Sequence, residues 1–126
     1  MKNKVVILII SVLICLLGLT WFTMKNNIVK QAEKIVISDL ELSNIDDGIY
    51  IGEYTLSPVK VIVQIHISNH QIHEIKILEH QNGFGEKAEV ITDHIIEKQK
   101  LKVDSIAGAT VSSKVILKAV ENALNK

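Results

Sequence analysis

Residues 59–78 read VKVIVQIHISNHQIHEIKIL, and this stretch decides the fold. Val59, Val61, Val63, Ile65 and Ile67 take every second position, with Lys60, Gln64, His66 and Ser68 between them. Strand side chains point alternately to opposite faces, so this pattern predicts a strand with one buried face. Ser68-Asn69-His70-Gln71 follows as a tight turn, because Asn tolerates positive φ. Ile72–Leu78 returns as the partner strand, with Ile75 and Ile77 on one face. Upstream, Asn44-Ile45-Asp46-Asp47-Gly48 is turn chemistry. Ile49–Leu56 then reads as a further strand, ended by Ser57-Pro58. Three consecutive strands with short turns make an antiparallel meander.

Downstream the period changes. Glu86–Lys98 carries Ala88, Ile91 and Ile95 at helical spacing. Leu101 and Val103 suggest a short extended piece. Val111–Leu124 predicts an amphipathic helix: Val115, Ile116, Ala119, Val120 and Ala123 form a stripe, and Lys114, Lys118, Glu121 and Asn122 face away. The order β-β-β-α-(β)-α predicts an α+β fold, a small antiparallel sheet with helices packed on one face.

Working outward to the N-terminus, Val5–Met24 is an apolar run without a charge. It is about as long as the roughly 20 residues that cross a hydrocarbon core of about 30 Å. Trp21 and Phe22 stand near its end, where aromatic side chains favour the membrane interface. A cleavable signal peptide would have an apolar region of roughly 7–15 residues and a small-x-small site after it. No such site follows, and Ile14 stands before Cys15 where a lipoprotein signal calls for a small residue. The run therefore predicts a retained transmembrane helix. Three segments result: a membrane anchor over 1–25, a juxtamembrane connector helix over 26–45 and a folded domain over 46–126. Ile28, Ala32, Ile35 and Val36 supply the helical spacing of the connector. Lys2 and Lys4 precede the run while Lys25, Lys30 and Lys34 follow it, so the positive-inside rule does not orient it. An N-terminal tail this short is expected to stay inside, which puts residues 25–126 on the extracytoplasmic side.

Composition removes several function classes. Only 4% of the residues are aromatic against 48% hydrophobic, so the core must be aliphatic. Fourteen basic residues balance 14 acidic ones, without the basic excess that nucleic-acid binding calls for. The single cysteine, Cys15, excludes an intrachain disulfide and a cysteine metal cluster. His66, His70 and His73 could converge as metal ligands, but turn and surface histidines are far commoner.

The segment with the most chemistry is Asp104-Ser105-Ile106-Ala107-Gly108-Ala109-Thr110-Val111-Ser112-Ser113, just before the last helix. Gly108 and Ala109 let a bulky group approach the backbone. Thr110 stands where an N-cap belongs, and Ser112 and Ser113 add hydroxyls in the first turn. Free N–H groups and the positive dipole end at such a terminus favour a phosphate. On these residues alone an ordinary helix cap is the favoured reading, since Ser and Thr cap helices routinely. A capping box would want Glu or Gln where Ser113 stands. No recognisable pattern ties a general base to Ser105, Ser112 or Ser113.

Asp104–Ser113 resembles the Asp-x-x-Ser-Gly-Ala-Thr-x-Ser-Ser signature of the FMN-binding domain family, which includes the C subunit of the sodium-pumping quinone reductase and the G subunit of the Rnf complex. Asp47-Gly48-Ile49-Tyr50-Ile51-Gly52 resembles the family's opening Asp-Gly-x-Tyr-x-Gly, and His80-Gln81-Asn82-Gly83-Phe84-Gly85 its glycine-rich loop. The motifs keep the family's order over about residues 46–124. The resemblance implies FMN as cofactor, joined as a phosphoester to Thr110 by a separate flavin transferase that uses FAD and magnesium and releases AMP. It makes Asp104, Gly108 and Ala109 the context for the transferase, with Ser105 also among the cofactor-binding positions. Ser112 and Ser113 would hold the phosphate, and His80, Gly83, Phe84 and Gly85 would border the isoalloxazine ring. Ala107 departs from the family's Ser or Thr, and Gln81-Asn82 replaces the Glu-Thr-Pro of the larger subunits.

The resulting expectation is a membrane-anchored electron carrier and not a stand-alone enzyme. Its partners would be the membrane, the flavin transferase and membrane redox proteins or a quinone-linked dehydrogenase, with no nucleic acid. The alternative is a non-covalent FMN-binding or partner-binding module without a redox role, which Ala107 favours. A flavin-dependent reductase with its own substrate would need a further pocket, for which the chain has little room.

Overall fold

The computed structural model describes residues 1–81 and 85–125. Helix α1, Lys2–Glu33, is a single uninterrupted helix. At 1.5 Å per residue it is roughly 48 Å long, more than the hydrocarbon core it would cross. It is long and apolar enough to span a membrane, and its apolar side chains from Val5 to Met24 lie exposed rather than against the domain. Its last turn does meet the domain, where Ala32 is fully buried.

The helical connector expected over 26–45 extends only to Glu33. Beyond it the chain is non-helical apart from a 3-10 turn at Leu42–Asn44. The cause is the last helix of the chain. Lys114 and Lys118 donate to the Ile35 and Val36 carbonyls, and Glu121 accepts from the Ser38 N–H. Ile37 buries its side chain on the core.

The three strands are β1 (Gly48–Leu56), β2 (Val59–Ser68) and β3 (Gln71–Gln81), antiparallel in the order β1-β2-β3. β2 is central, and its five alternating residues Val59 to Ile67 are all buried, as the sequence pattern requires. Burying each such aliphatic side chain is worth about 1.5–3 kcal/mol. Asn69 and His70 both adopt positive φ, 51° and 58°, and close the β2–β3 turn. β3 leaves register twice against β2, between Ile62 and Val63 and between His66 and Ile67.

Residues 86–90 form a 3-10 turn that runs into helix α2 (Ile91–Lys98), so the helix expected from Glu86 begins five residues later. Helix α3 (Thr110–Leu124) closes the chain. Ile91 and Ile95 of α2 join Val115, Ile116, Ala119, Val120 and Ala123 of α3 in one core with the buried face of β2. Both helices thus cover the same face of the sheet, and the fold is α+β. Gly52 of β1 is the point of closest approach: a Cβ there would overlap the Ala119 carbonyl oxygen and the Ala123 amide nitrogen.

Two further expectations change. Leu101 and Val103 form no strand among the described residues, because the Val103 N–H donates to the Leu101 carbonyl two residues back, a tight turn. Glu121 does not face away from the domain. It is 3% exposed, covered by the connector, and its carboxylate pairs with Lys118 at 2.8 Å. The free edge of β3 is blocked by Gln99, whose side chain accepts from the Ile72 N–H and donates to the Ile72 carbonyl.

Candidate functional site at the N-terminus of helix α3

The loop before α3 is built around a turn at Ile106–Ala109, closed by the Ala109 N–H donating to the Ile106 carbonyl at 2.9 Å. Gly108 takes φ +76° at its third position, the geometry of a type II turn and a place where other residues are strained. Ala107 is exposed at the second position and lies outside the cavity described below.

The helix starts one residue later than a Thr110 cap implies. Ala109 holds the N-cap position, Thr110 is the first helical residue, and among the described residues no side chain caps the helix. Ser113 donates its N–H to the Ala109 carbonyl, the first intrahelical bond. The N–H groups of Thr110, Val111 and Ser112 are therefore left without intrahelical acceptors.

The three hydroxyls of this first turn have different fates. Ser113 is fully buried, and its Oγ accepts the Ile106 N–H at 3.0 Å, which ties the loop to the helix. Ser112 is 4% exposed, and its Oγ lies 3.1 Å from His80 Nε2. Thr110 is half-buried, and its hydroxyl has no hydrogen-bond partner among the described residues.

His80 reaches Ser112 because of a bulge. In β3 the register passes from Val63–Ile77 to Ile62–Glu79 and Val61–His80, so Leu78 is the extra residue. The bulge turns His80 to the side of the sheet that Val61 shares with α3. His80 Nδ1 lies 3.0 Å from Glu89 Oε1. With the carboxylate accepting, Nδ1 carries a hydrogen, and Nε2 on the other side of the ring pairs with Ser112 Oγ. The sequence tied no base to Ser112, and the structure corrects that with a Glu89–His80–Ser112 chain. The chain holds the serine in place. Gly85 packs so closely on the same serine that a Cβ there would sit 2.9 Å from Ser112 Oγ.

Thr110 instead faces a cavity of about 760 Å³. One wall is Gly108–Ser112 with Lys87, and the opposite wall is the end of α1, including Trp21, Met24 and Ile28. Lys87 Nζ is 3.6 Å from where a Gly108 Cβ would be, so an ammonium stands beside the uncapped helix terminus. Sequence reasoning missed Lys87 and Glu89, which carry no motif of their own. It also missed the α1 wall.

Of the residues expected at the site, Gly108, Ala109, Thr110 and Ser112 line the cavity. Ser113 lies behind it, Asp104 is exposed and Ser105 half-buried, and neither of these two lines the cavity. His80 and Gly85 stand on the far side of Ser112. Gly83 and Phe84 lie outside the described residues.

A family model described as FMN-binding domain matches residues 56–125. The chain belongs to the FMN-binding domain family. The match contains the His80–Gly85 and Asp104–Ser113 motifs, and Asp47–Gly52 lies before it. No curated protein matches the chain.

The residues present fit the group. A phosphate suits three uncapped helical N–H groups, the positive end of the α3 dipole and Lys87. Thr110 offers an unengaged hydroxyl beside them. The cavity volume is within the roughly 300–1,000 Å³ of small-molecule sites.

Proposed function

We propose that the protein carries FMN as a phosphoester on Thr110 and serves as an electron-transfer carrier on the extracytoplasmic side of the membrane. The observation that carries this reading is the division among the three hydroxyls. Ser112 and Ser113 are hydrogen-bonded and buried, while Thr110 has no hydroxyl partner among the described residues and opens into the cavity beside Lys87. A transferase needs a hydroxyl it can reach, and of the three in the first turn of α3 this is the one that Ser112 and Ser113 leave over. Asp104, Ala107 and Gly108 are exposed around it, so the segment is accessible to a second protein.

When bound, FMN supplies the redox chemistry, and the chain supplies attachment, charge and placement. Lys87 and the α3 terminus neutralise the phosphate. The Glu89–His80–Ser112 chain and the Ser113–Ile106 bond keep the first turn rigid, so the attachment point is fixed. A covalent link keeps the flavin from being lost outside the cytoplasm. The α1 anchor raises its local concentration beside membrane redox partners.

The test is in-gel flavin fluorescence on the denatured full-length chain, co-expressed with a flavin transferase. The wild type should fluoresce and Thr110→Ala should be dark. Fluorescence that persists in the mutant, or a dark wild type, overturns covalent attachment at Thr110.

A further inference from the structure

We infer that the isoalloxazine ring of the Thr110-linked flavin docks on the chain's own membrane helix, against Trp21, Met24 and Ile28. The inference rests on attachment at Thr110 and adds where the ring goes. Trp21, Met24, Lys25 and Ile28 follow i, i+3, i+4, i+7 spacing, so they share one face of α1. That face continues to Ala32, which is fully buried against the domain. The cavity is the gap between this face and the α3 terminus, floored by Ser57, Pro58 and Val59.

The two walls differ in chemistry in the way the two ends of FMN do. At the α3 wall stand Thr110, three uncapped N–H groups and Lys87, all suited to a phosphate. At the α1 wall stand an indole, a thioether and a branched alkyl group, all suited to a flat aromatic ring. The described part of the loop expected to border the ring does not compete for it, since His80 and Gly85 are engaged with Ser112 on the other side. Lys25 Nζ lies over the Trp21 ring at 5.6 Å from its centroid, a cation–π contact within the same wall. Trp21 stands near the end of the apolar run Val5–Met24, so a ring stacked on it sits close to the membrane boundary.

Trp21 is the one tryptophan of the chain, which makes the contact directly readable. Stacked indole and flavin quench each other's fluorescence. The flavin-loaded full chain is placed in phosphatidylcholine nanodiscs, and loading is scored separately on a denaturing gel. Native flavin emission should be several-fold weaker in the wild type than in Trp21→Leu at equal gel loading. Trp21 emission should be several-fold weaker in the loaded wild type than in flavin-free Thr110→Ala. Equal flavin emission in wild type and Trp21→Leu, or Trp21 emission indifferent to loading, overturns ring docking while leaving attachment intact. A wild type that is dark on the gel overturns the attachment and the docking together.

Discussion

Two short motifs, Asp47–Gly52 and Asp104–Ser113, carry the family resemblance at the two ends of the domain: the first opens β1 and the second opens α3. In the structure the first is used up. Both Asp47 carboxylate oxygens accept backbone N–H groups, from Asn69 at 2.9 Å and His70 at 3.1 Å. The Tyr50 hydroxyl donates to the Asp46 carbonyl, and Gly52 yields its side-chain space to α3. In the second motif, Ser113 and Ser112 are engaged in the same manner, but Thr110 and the helix N–H groups are left over, facing a cavity. The first motif builds the scaffold and the second spends only part of itself on structure. What is unsatisfied at a cavity is what remains for a ligand.

The strongest way to break this contrast is at Thr110. Thr110→Ala should remove all covalent flavin while leaving the thermal midpoint of the full chain in detergent within a few degrees of wild type, because the hydroxyl bonds to none of the described residues. A large loss of stability would mean that Thr110 belongs with Ser113 as a structural residue.

The converse test is Gly52→Val, a substitution in the scaffold motif more than fifty residues away in sequence. The new side chain meets α3 backbone that cannot yield without moving the helix. Overpacking of this kind costs about 1–3 kcal/mol or more. The thermal melt followed by circular dichroism should shift down by at least several degrees, and flavin loading should fall only in proportion to the unfolded fraction. A melt equal to wild type would show that α3 has slack at Ala119 and Ala123.

Between these extremes lie the residues that join scaffold to site. His80→Ala strands Glu89 and the buried Ser112 hydroxyl, which should cost about 1–3 kcal/mol. Lys87→Ala touches no side-chain hydrogen bond among the described residues and should leave stability unchanged. It removes about 1.5 kcal/mol of charge-assisted contact to the phosphate, so loading should slow roughly tenfold. Loading rates followed by gel fluorescence over time separate the two, and a Lys87→Ala chain that loads at the wild-type rate would remove the ammonium from the site.

The legible part of the molecule follows from local periodicity. The alternation from Val59 to Ile67 and the stripe from Val115 to Ala123 are local patterns, and both elements lie where those patterns put them. The site was legible as a segment, because Asp104–Ser113 is contiguous. Its partners were not. His80 comes to Ser112 through one extra residue at Leu78, and a bulge has no marker in an aliphatic strand. Glu121 looks like a solvent residue until the connector covers it, a contact across 83 positions. Thr110 was expected to cap α3. The turn at Ile106–Ala109, with Gly108 at positive φ, hands that place to Ala109 and frees the hydroxyl.

The smallest effect sharpens the reading of the scaffold motif. The two backbone N–H groups, from Asn69 first and His70 second, hold the Asp47 carboxyl below its ordinary value of 3.8, since both bonds favour the ionised form. The unfolded chain therefore binds a proton at Asp47 more readily than the folded one, and the contribution to stability is present above about 3.8 and lost as pH falls through the folded value. Asp47 is fully solvated, so the effect is small and salt-screened. Asp47→Asn keeps one acceptor oxygen and cannot titrate. Its thermal midpoint should lie slightly below wild type at neutral pH, and the two should converge as acid protonates the wild-type carboxyl. A gap that stays constant down to pH 2 would mean that the Asn69–His70 turn is held by its backbone alone and that Asp47 is as unengaged as Thr110.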